Sequence, residues 1–309
     1  MIRIRVPATT ANLGPGFDCM GLALDLWNSF EMHLVGDSIQ VTVDGEGANV
    51  LAKDGTNLIA TTFCGELERL RIPVPAGIHF KVHNAVPCAS GLGSSSTATL
   101  AGIMFAQSYS AFVNGDDPAE IDREETLRRA VAIEGHGDNV APALLGGFVI
   151  VVPDETAGVL TQKVPHTKMK VVVCVPDFKY LTADARKALP DSYSKPDAIF
   201  NIGRAMLVAE AFRAGNDELL RNAMNDRIHE PFRLKDIPGA TSVKQAALDA
   251  GALCVCLSGA GPGIIAFTRD RFDRIGRAMK EAYGVAGLDA RYWILDTSEE
   301  GTHVGRLPV

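Results

Sequence analysis

The 309-residue chain has no block of five like charges, no basic stripe and no apolar run of membrane-spanning length. Nucleic-acid binding is therefore unexpected, because phosphate backbones are held by clustered Lys and Arg, and the formal net charge here is −7. The longest apolar stretches, such as 144–152, are well short of the about 20 residues that a membrane helix needs. The N-terminus also lacks the apolar segment of a signal peptide. We expect neither nucleic-acid nor membrane partners.

Cysteine is sparse, and its six copies are scattered along the chain. Cys254 and Cys256 share one face of a predicted strand, but no second Cys or His pair follows at zinc-ligand spacing. The pattern favours reduced core thiols in a cytoplasmic protein over a disulfide framework or a zinc site.

Predicted strands and helices interleave with short connections, which indicates an α+β chain in two lobes. We expect one lobe over 1–160 and a second over 161–309, with the ligand site in the cleft between them. The first lobe begins with alternating strands, continues into a helix at 96–114, and has two short amphipathic helices within 117–135. In the second lobe the predicted strands lie at 170–176, 252–259, 263–268 and 290–295, and the predicted helices at 197–215, 240–251 and 270–284.

The stretch "PCASGLGSSSTA" (87–98) has the composition of a phosphate loop at the start of a helix. Gly91 and Gly93 allow close backbone approach, and Ser94 to Ser96 place hydroxyl groups at a helix N-terminus, where anions bind. A Walker A loop is excluded because no Gly-Lys-Ser/Thr occurs in the chain. A dinucleotide fingerprint is disfavoured because Ser96 occupies its third glycine position and no acid ends a strand at the required distance.

The same stretch matches the pattern P-x-x-x-G-L-G-S-S-x-A with one additional residue before the final alanine. Through this pattern the chain resembles the GHMP kinase superfamily of small-molecule kinases. Further segments resemble its homoserine kinase family, at 6–24, 134–148, 181–190 and 227–233, and the segment 258–267 resembles the third motif of the superfamily. All of them occur in the family order. The resemblance implies an N-terminal lobe like ribosomal protein S5 domain 2, with a left-handed β-α-β crossover. It also implies a ferredoxin-like C-terminal lobe and a homodimer.

The resemblance further implies an ATP-dependent kinase that converts L-homoserine to O-phospho-L-homoserine in threonine biosynthesis. The residues matched to the phosphate-binding positions are Pro87, Ser90, Gly91, Leu92, Gly93, Ser94, Ser95 and Ser96. Asn57 is matched to a family segment near the adenine. Mg²⁺ would be held by Glu134 and one serine, Ser95, because a carboxylate and a hydroxyl suit this hard cation. Glu134 stands closer to Asp138 than in some homoserine kinases, so Glu124 and Glu125 are alternatives.

Homoserine is a zwitterion, and the matched residues have the required charges. Arg186 and Arg233 would bind its carboxylate, since guanidinium groups fit carboxylates in two-point pairs. Asp18 would accept from its ammonium, with Asn12 beside it. The other substrate contacts that the resemblance implies are His136, Asp138, Asn139, Thr182 and Gly259.

Asp138 and Asn139 are the expected catalytic residues. The first motif has no Lys or Arg to assist a catalytic Asp, as mevalonate kinases and galactokinases have. The hydroxyl proton could therefore pass to the γ-phosphate or to water while Asn139 orients the hydroxyl. Two other functions stay open: a related kinase for mevalonate or another amino alcohol, and a non-catalytic sensor of ATP or an amino acid.

Overall fold

The computed structural model describes residues 2–307, which form two β-sheets with helices packed on them. The strands are β1 (Ile2–Ala11), β2 (Met20–His33), β3 (Ile39–Gly45), β4 (Ile78–Asn84), β5 (Phe148–Asp154), β6 (Gly158–Val164), β7 (Lys170–Pro176), β8 (Cys254–Leu257), β9 (Ile264–Thr268), β10 (Ala290–Asp296) and β11 (His303–Arg306). The helices are α1 (Leu58–Leu70), α2 (Ser94–Asn114), α3 (Arg123–Glu134), α4 (Val140–Leu145), α5 (Thr182–Lys187), α6 (Lys195–Ala214), α7 (Asp217–Ala223), α8 (Glu230–Asp236), α9 (Ala240–Asp249) and α10 (Phe272–Val285).

The first sheet contains seven strands, with β11–β1–β2–β4–β3 in a row and the β5–β6 hairpin attached to β2. The long strand β2 pairs with β5 through its first residues and with β4 through its last ones. Strands β3 and β4 are parallel neighbours joined through α1, which is the β-α-β crossover expected in this lobe. This crossover places the loop after β4, and with it residues 87–93, at the start of α2.

The second sheet has the antiparallel order β10–β7–β9–β8. Helices α9 and α10 share a hydrophobic core with it through residues such as Val243, Ile275 and Met279. The strand-helix-strand-strand-helix-strand order and this pairing are those of a ferredoxin-like lobe. The α+β fold with two lobes is therefore confirmed.

Several local features differ from the sequence prediction, which did not include the short helices α4, α5, α7 and α8 or the strands β6 and β11. The interval 117–135 contains one helix, α3, because the Asp122 side chain accepts the Glu125 N–H and starts the helix there. Strand β6 was not predicted, since most of its residues are exposed and it lacks an apolar alternation.

The division of the chain at residue 160 falls inside β6, which is paired with β5 along its length. The last strand, β11, returns to pair with β1. We therefore propose that the first lobe extends to Val164 and takes its final strand from the end of the chain.

Helix α6 joins the cores of the two sheets. Phe212 of α6 has its ring centroid 5.0 Å from that of Phe148 in the first sheet and 5.6 Å from that of Phe267 in the second. All three side chains are buried in one apolar cluster. The lobes are therefore held together by a continuous core, in which α6 is the common element. Within residues 2–307, no helix combines the length and the apolar composition that crossing a bilayer requires.

Replacing Phe212 by alanine should destabilise the whole chain by about 3–5 kcal/mol, because it leaves a cavity where the two sheets meet. The expected readout is a lower urea midpoint in equilibrium unfolding followed by circular dichroism. Phe112→Ala is the matched control, since that ring is 59% exposed and its loss should change stability by about 0.5 kcal/mol or less. Equal midpoints for the two variants would contradict the bridging role of α6.

Candidate active site

A cavity of about 560 Å³ lies between the two lobes. The first lobe contributes the start of α2 and the segment around the end of α3, and the second lobe contributes α5 and the loop after β8. The sequence-predicted residues that line it are Asn12, Asp18, Ser90, Gly91, Gly93, Ser94, Ser95, Ser96, Glu134, His136, Asp138, Asn139, Thr182, Arg186, Arg233 and Gly259. Most of the predicted residues are thus brought to one place.

The loop that precedes α2 turns through left-handed backbone conformations. Ala89, Gly91 and Gly93 have φ angles of 51°, 79° and 71°. Gly93 is the N-cap of α2, and no side chain caps this terminus. The first N–H groups of a 21-residue helix are therefore free to bind an anion, with the helix dipole adding to the attraction.

The two glycines also allow the loop to touch the other motifs. A Cβ on Gly91 would lie 2.0 Å from the carbonyl oxygen of Ser258, and a Cβ on Gly93 would lie 2.1 Å from Thr9 Oγ1. Any side chain at either position would push the phosphate loop away from its neighbours. The glycines thus pack the loop between the first and the last motif, a role that the sequence reading did not assign to them.

Some predicted phosphate-loop residues shape the loop through contacts within the protein. Ser90 is buried, and its hydroxyl donates to the Pro87 carbonyl at 2.7 Å while accepting from the Leu92 N–H at 3.3 Å. Leu92 is fully buried in the core that the two sheets share. Neither Pro87 nor Leu92 lines the main cavity.

Asn57 lies at a second, smaller cavity of about 300 Å³. Its side chain accepts from the Ile59 N–H and donates to the Ala52 carbonyl, so it caps α1 and holds the preceding loop. This cavity is mostly apolar, and it meets the first cavity at Ser94 and Ser95. A flat apolar group could occupy it while a linked anion reaches the start of α2.

Glu134 faces the hydroxyl groups of α2. Its Oε2 lies 3.2 Å from Ser95 Oγ and 3.3 Å from Ser96 Oγ, and its Oε1 accepts from Thr99 Oγ1 at 2.6 Å. This set of hard oxygen donors suits a small divalent cation. Glu125, one of the two alternatives, is paired with Arg69 and Arg128, away from the cavity.

His136 and Asp138 form a hydrogen-bonded pair, with Nδ1 and Oδ1 2.9 Å apart. Burial lowers the pKa of His136, but the hydrogen bond and charge of Asp138, together with the charge of Glu134, outweigh it and raise that pKa above its usual value. The same Asp138 oxygen accepts the Asn139 N–H at 3.0 Å. Asn139 is oriented in turn by Thr9, whose hydroxyl donates to Asn139 Oδ1 at 2.8 Å.

Asp18 and Arg186 form a two-point ion pair across the cavity. Arg186 Nη1 and Nη2 donate to the two Asp18 oxygens at 2.9 and 3.0 Å. The Asp18 N–H donates to Asn12 Oδ1, and Asn12 Nδ2 donates to the Gly259 carbonyl. Asn12 and Gly259 therefore hold the loop that carries Asp18, while both charged side chains stay partly exposed.

Arg233 is almost completely buried at the base of the cavity, with 2% of its surface exposed. Its Nε donates to the Ala185 carbonyl at 3.2 Å, and its guanidinium lies 5.1 Å from the centroid of the Phe17 ring. Burial lowers its pKa, although an arginine stays protonated. In the described residues no carboxylate is paired with Arg233, so its charge is available to an anionic ligand.

The sequence reading missed the residues that hold Arg233 in place. The side chain of Asp226 is fully buried, and its carboxylate accepts the N–H groups of Ile228, His229 and Glu230 ahead of and at the start of α8. It also accepts from Asn201 Nδ2, which reaches the Pro15 carbonyl in the Asp18 loop. An acidic residue just before a helix is a capping signal, but nothing in the sequence indicates that it reaches Asn201.

Comparison with known proteins gives a consistent family assignment for both lobes. A family model described as the GHMP kinases N terminal domain matches residues 57–147, and a model described as GHMP kinases C terminal matches residues 208–285. The chain is 37% identical over 305 residues to a homoserine kinase of Desulfitobacterium hafniense, covering 98% of this chain and 100% of the relative.

Two further relatives agree with this one. A homoserine kinase of a Synechococcus strain is 39% identical over 306 residues, covering 98% of this chain and 97% of the relative. The crystal structure of homoserine kinase from Cytophaga hutchinsonii superposes with a TM-score of 0.82 at 29% identity, covering 98% of this chain and 96% of that one. The similarity thus spans both lobes and the cavity between them.

The His136 imidazole should titrate above its usual pKa of about 6.5, as measured by NMR on the ring protons. A raised pKa in the folded state stabilises the fold below about pH 6.5, and this contribution is lost as pH rises through the raised value. Asp138→Asn should lower the pKa of His136, because burial still disfavours the charged imidazole while the attraction to the Asp138 carboxylate is lost. Asp44→Asn, at the exposed His83 pair, is the control and should leave it unchanged. If His136 had the same pKa in the wild type, in Asp138→Asn and in Asp44→Asn, Asp138 would not be the cause of the raised pKa.

Proposed function

The chain belongs to the GHMP kinase family, and on that premise we propose that it catalyses ATP-dependent phosphorylation of the L-homoserine hydroxyl. The observation that carries this proposal is the composition of the cavity that Asp18, Arg186 and the start of α2 line between the lobes. An uncapped helix N-terminus for phosphates and an Asp18–Arg186–Arg233 set for a zwitterion open into the same space. The product, O-phospho-L-homoserine, belongs to amino-acid biosynthesis and specifically to the route to threonine.

We propose that ATP lies across the two adjoining cavities. Its phosphates would meet the N–H groups and hydroxyls of Ser94 to Ser96, where the α2 dipole favours negative charge. Its base would enter the mostly apolar cavity beside Asn57, which adjoins these serines. These local hydrogen-bond donors have to provide the attraction for ATP, because the overall charge of −7 repels a polyanion.

The residues at the end of α3 fit a Mg²⁺ ion. Glu134 and the exposed Ser95 would hold it, since their oxygens already lie within hydrogen-bond distance. Ser96 is buried and is the less accessible of the two hydroxyls near Glu134. When bound, the ion would neutralise charge on the β- and γ-phosphates.

Asp18 and Arg186 are paired with each other at the positions where the charges of the substrate would bind. A bound homoserine would give its ammonium to Asp18 and its carboxylate to Arg186, replacing one ion pair by two. The buried guanidinium of Arg233 would add a second donor to the carboxylate. A ligand that carries only one of the two charges would leave Asp18 or Arg186 without a partner, which is costly in a partly closed cavity.

Phosphoryl transfer then requires positioning more than covalent chemistry. The homoserine hydroxyl oxygen bonds to the γ-phosphorus as the bond from that phosphorus to the β-γ bridging oxygen breaks, and ADP leaves. Asp138 Oδ1 already accepts from His136 and from the Asn139 N–H. We therefore propose that the Asn139 amide orients the hydroxyl, while its proton passes to the transferred phosphoryl group or to water.

We further propose that the enzyme works in the cytoplasm and as a homodimer. All six cysteines are free thiols, which fits a reducing compartment.

A panel of alcohols tests both the activity and the selection of a zwitterion. In a coupled ADP-release assay we expect turnover with homoserine and much lower kcat/KM with threonine, serine, mevalonate, 3-amino-1-propanol and 4-hydroxybutyrate. The last two lack one of the charges that Asp18 and Arg186 would bind, so we expect a loss of roughly 100-fold or more for each.

Two outcomes of this panel would contradict the proposal. Turnover of mevalonate without turnover of homoserine would point to a mevalonate-type kinase. Tight ATP binding without any phosphorylated product would point to a sensor. Asp18→Asn should raise KM for homoserine and leave KM for ATP unchanged.

Glu134→Gln tests the metal assignment. We expect kcat to fall by at least roughly 10–100-fold, with a higher Mg²⁺ concentration for half-maximal rate, because one anionic ligand is lost. Glu125→Gln is the matched control, since Glu125 is paired with Arg69 and Arg128 outside the cavity. A Mg²⁺ dependence that shifts in the control and not in Glu134→Gln would overturn the assignment.

A further inference from the structure

His229 is a fully buried histidine to which the proposed phosphoryl transfer gives no role. It is the N-cap of α8, and Arg233 follows one turn later on the same helix, where its N–H donates to the His229 carbonyl. Side chains four residues apart lie on one face of a helix, so the imidazole and the guanidinium are neighbours. The His229 ring is also stacked on Phe17, with the two ring centroids 5.3 Å apart. The imidazole therefore contacts both Arg233 and the loop that carries Asp18.

The two ring nitrogens of His229 have neighbours of opposite kinds. Nε2 lies 2.9 Å from the Gly14 carbonyl oxygen, which can only accept a hydrogen bond. Nδ1 lies 3.4 Å from Nη1 of Arg233, which can only donate one. The carboxylate oxygen Asp226 Oδ2 is farther from Nε2, at 3.8 Å, and it accepts backbone N–H groups instead. The neutral imidazole with its hydrogen on Nε2 fits both neighbours, whereas the other tautomer fits neither.

The five N–H groups of the Arg233 side chain are divided between the protein and the cavity. Nε donates to the Ala185 carbonyl at 3.2 Å. Nη1 has two hydrogens and two acceptors, His229 Nδ1 at 3.4 Å and the Gly259 carbonyl oxygen at 3.5 Å. Within residues 2–307, no group accepts a hydrogen bond from Nη2. The N–H groups of Nη2 are therefore the ones left for a ligand in the cavity that Arg233 lines.

From these contacts, we propose that His229 is a positioning residue for binding of the substrate carboxylate. The inference rests on the proposed function, because it takes the carboxylate of homoserine as the ligand of Arg233. The lone pair of Nδ1 holds Nη1 and so fixes the rotation of the guanidinium, with Nη2 directed at the carboxylate. Without this acceptor a buried N–H of Arg233 loses its partner, and the guanidinium turns towards other acceptors.

The same imidazole connects the two charged ends of the substrate site. Its Nε2–H holds the Gly14 carbonyl, and Asp18, the expected ammonium ligand, lies four residues further along that loop. The Phe17 ring, next to Asp18, contacts both the His229 ring and the Arg233 guanidinium. His229 therefore sets the separation between the carboxylate site and the ammonium site. An α-amino acid requires one particular separation, because both of its charged groups are bonded to the same carbon or one atom from it.

Two substitutions separate the roles of the two nitrogens. His229→Gln retains an N–H donor for the Gly14 carbonyl in place of Nε2, and His229→Asn retains an oxygen acceptor beside Arg233 in place of Nδ1. The measured quantity is the ratio of kcat/KM for homoserine to kcat/KM for 3-amino-1-propanol, which lacks the carboxylate. We expect this ratio to fall roughly 10-fold or more in His229→Gln and to stay within roughly 3-fold of the wild-type ratio in His229→Asn. KM for ATP should be unchanged in both variants.

Two further variants are the controls for this measurement. Met224→Leu alters a buried side chain beside Gly14 that has no hydrogen bond to Arg233, so it should leave the ratio unchanged. In an Arg233→Lys background, which lacks Nη1, His229→Gln should lower the ratio no further. A role in packing alone would lower kcat/KM for both alcohols by the same factor in His229→Gln. That result, or an equal fall of the ratio in the Gln, Asn and Met224→Leu variants, would overturn the proposal.

The tautomer of His229 tests the inference on the wild-type protein without any substrate. In long-range ¹H–¹⁵N NMR spectra, assigned by the loss of signals in His229→Asn, we expect Nε2 to be protonated and Nδ1 to be unprotonated. A protonated Nδ1 would contradict the role of His229 even in an enzyme that phosphorylates homoserine. A wild type that does not phosphorylate homoserine would instead contradict the proposed function, so the two failures are distinguishable.

Discussion

The active site depends on how closely three backbone segments approach one another. The phosphate loop lies between the end of β1 and the loop after β8, and both contacts are possible only because Gly91 and Gly93 have no side chain. Ser258 Oγ lies 2.8 Å from the Gly91 carbonyl oxygen and 2.9 Å from Thr10 Oγ1, so one hydroxyl links all three segments. The start of α2, the end of β1 and the loop after β8 therefore keep fixed positions relative to one another.

Most charged side chains of the site are paired with groups of the protein itself. Asp18 is paired with Arg186, Asp138 with His136, and Glu134 with serine and threonine hydroxyls. Arg233 is the exception among the charged lining residues, since carbonyl groups and the Phe17 ring surround it. An incoming zwitterion and polyphosphate would exchange these contacts for new ones of the same kind. Binding is then an exchange of partners rather than the burial of unpaired charge, which keeps its desolvation cost small.

Helix α6 connects this site to the rest of the molecule. Its buried face joins the cores of the two sheets through Phe212, and Asn201 on the same helix contacts both Asp226 and the Pro15 carbonyl. One helix thus takes part in the packing of the lobes and in the position of the substrate-binding loop.

The sequence by itself determined what depends on neighbouring residues. The Gly/Ser loop at 87–98 and the order of the predicted strands and helices follow from local propensity and spacing, which act over a few residues. The motif that contains Glu134 was identified by its resemblance to a family segment. Only the tertiary structure decided which partners meet. Arg186 pairs with Asp18 from 168 residues away, Asp226 reaches Asn201 across 25 residues, and β11 joins β1 from the opposite end of the chain. Such contacts are set by the packing of whole sheets and helices, and no local pattern encodes that packing.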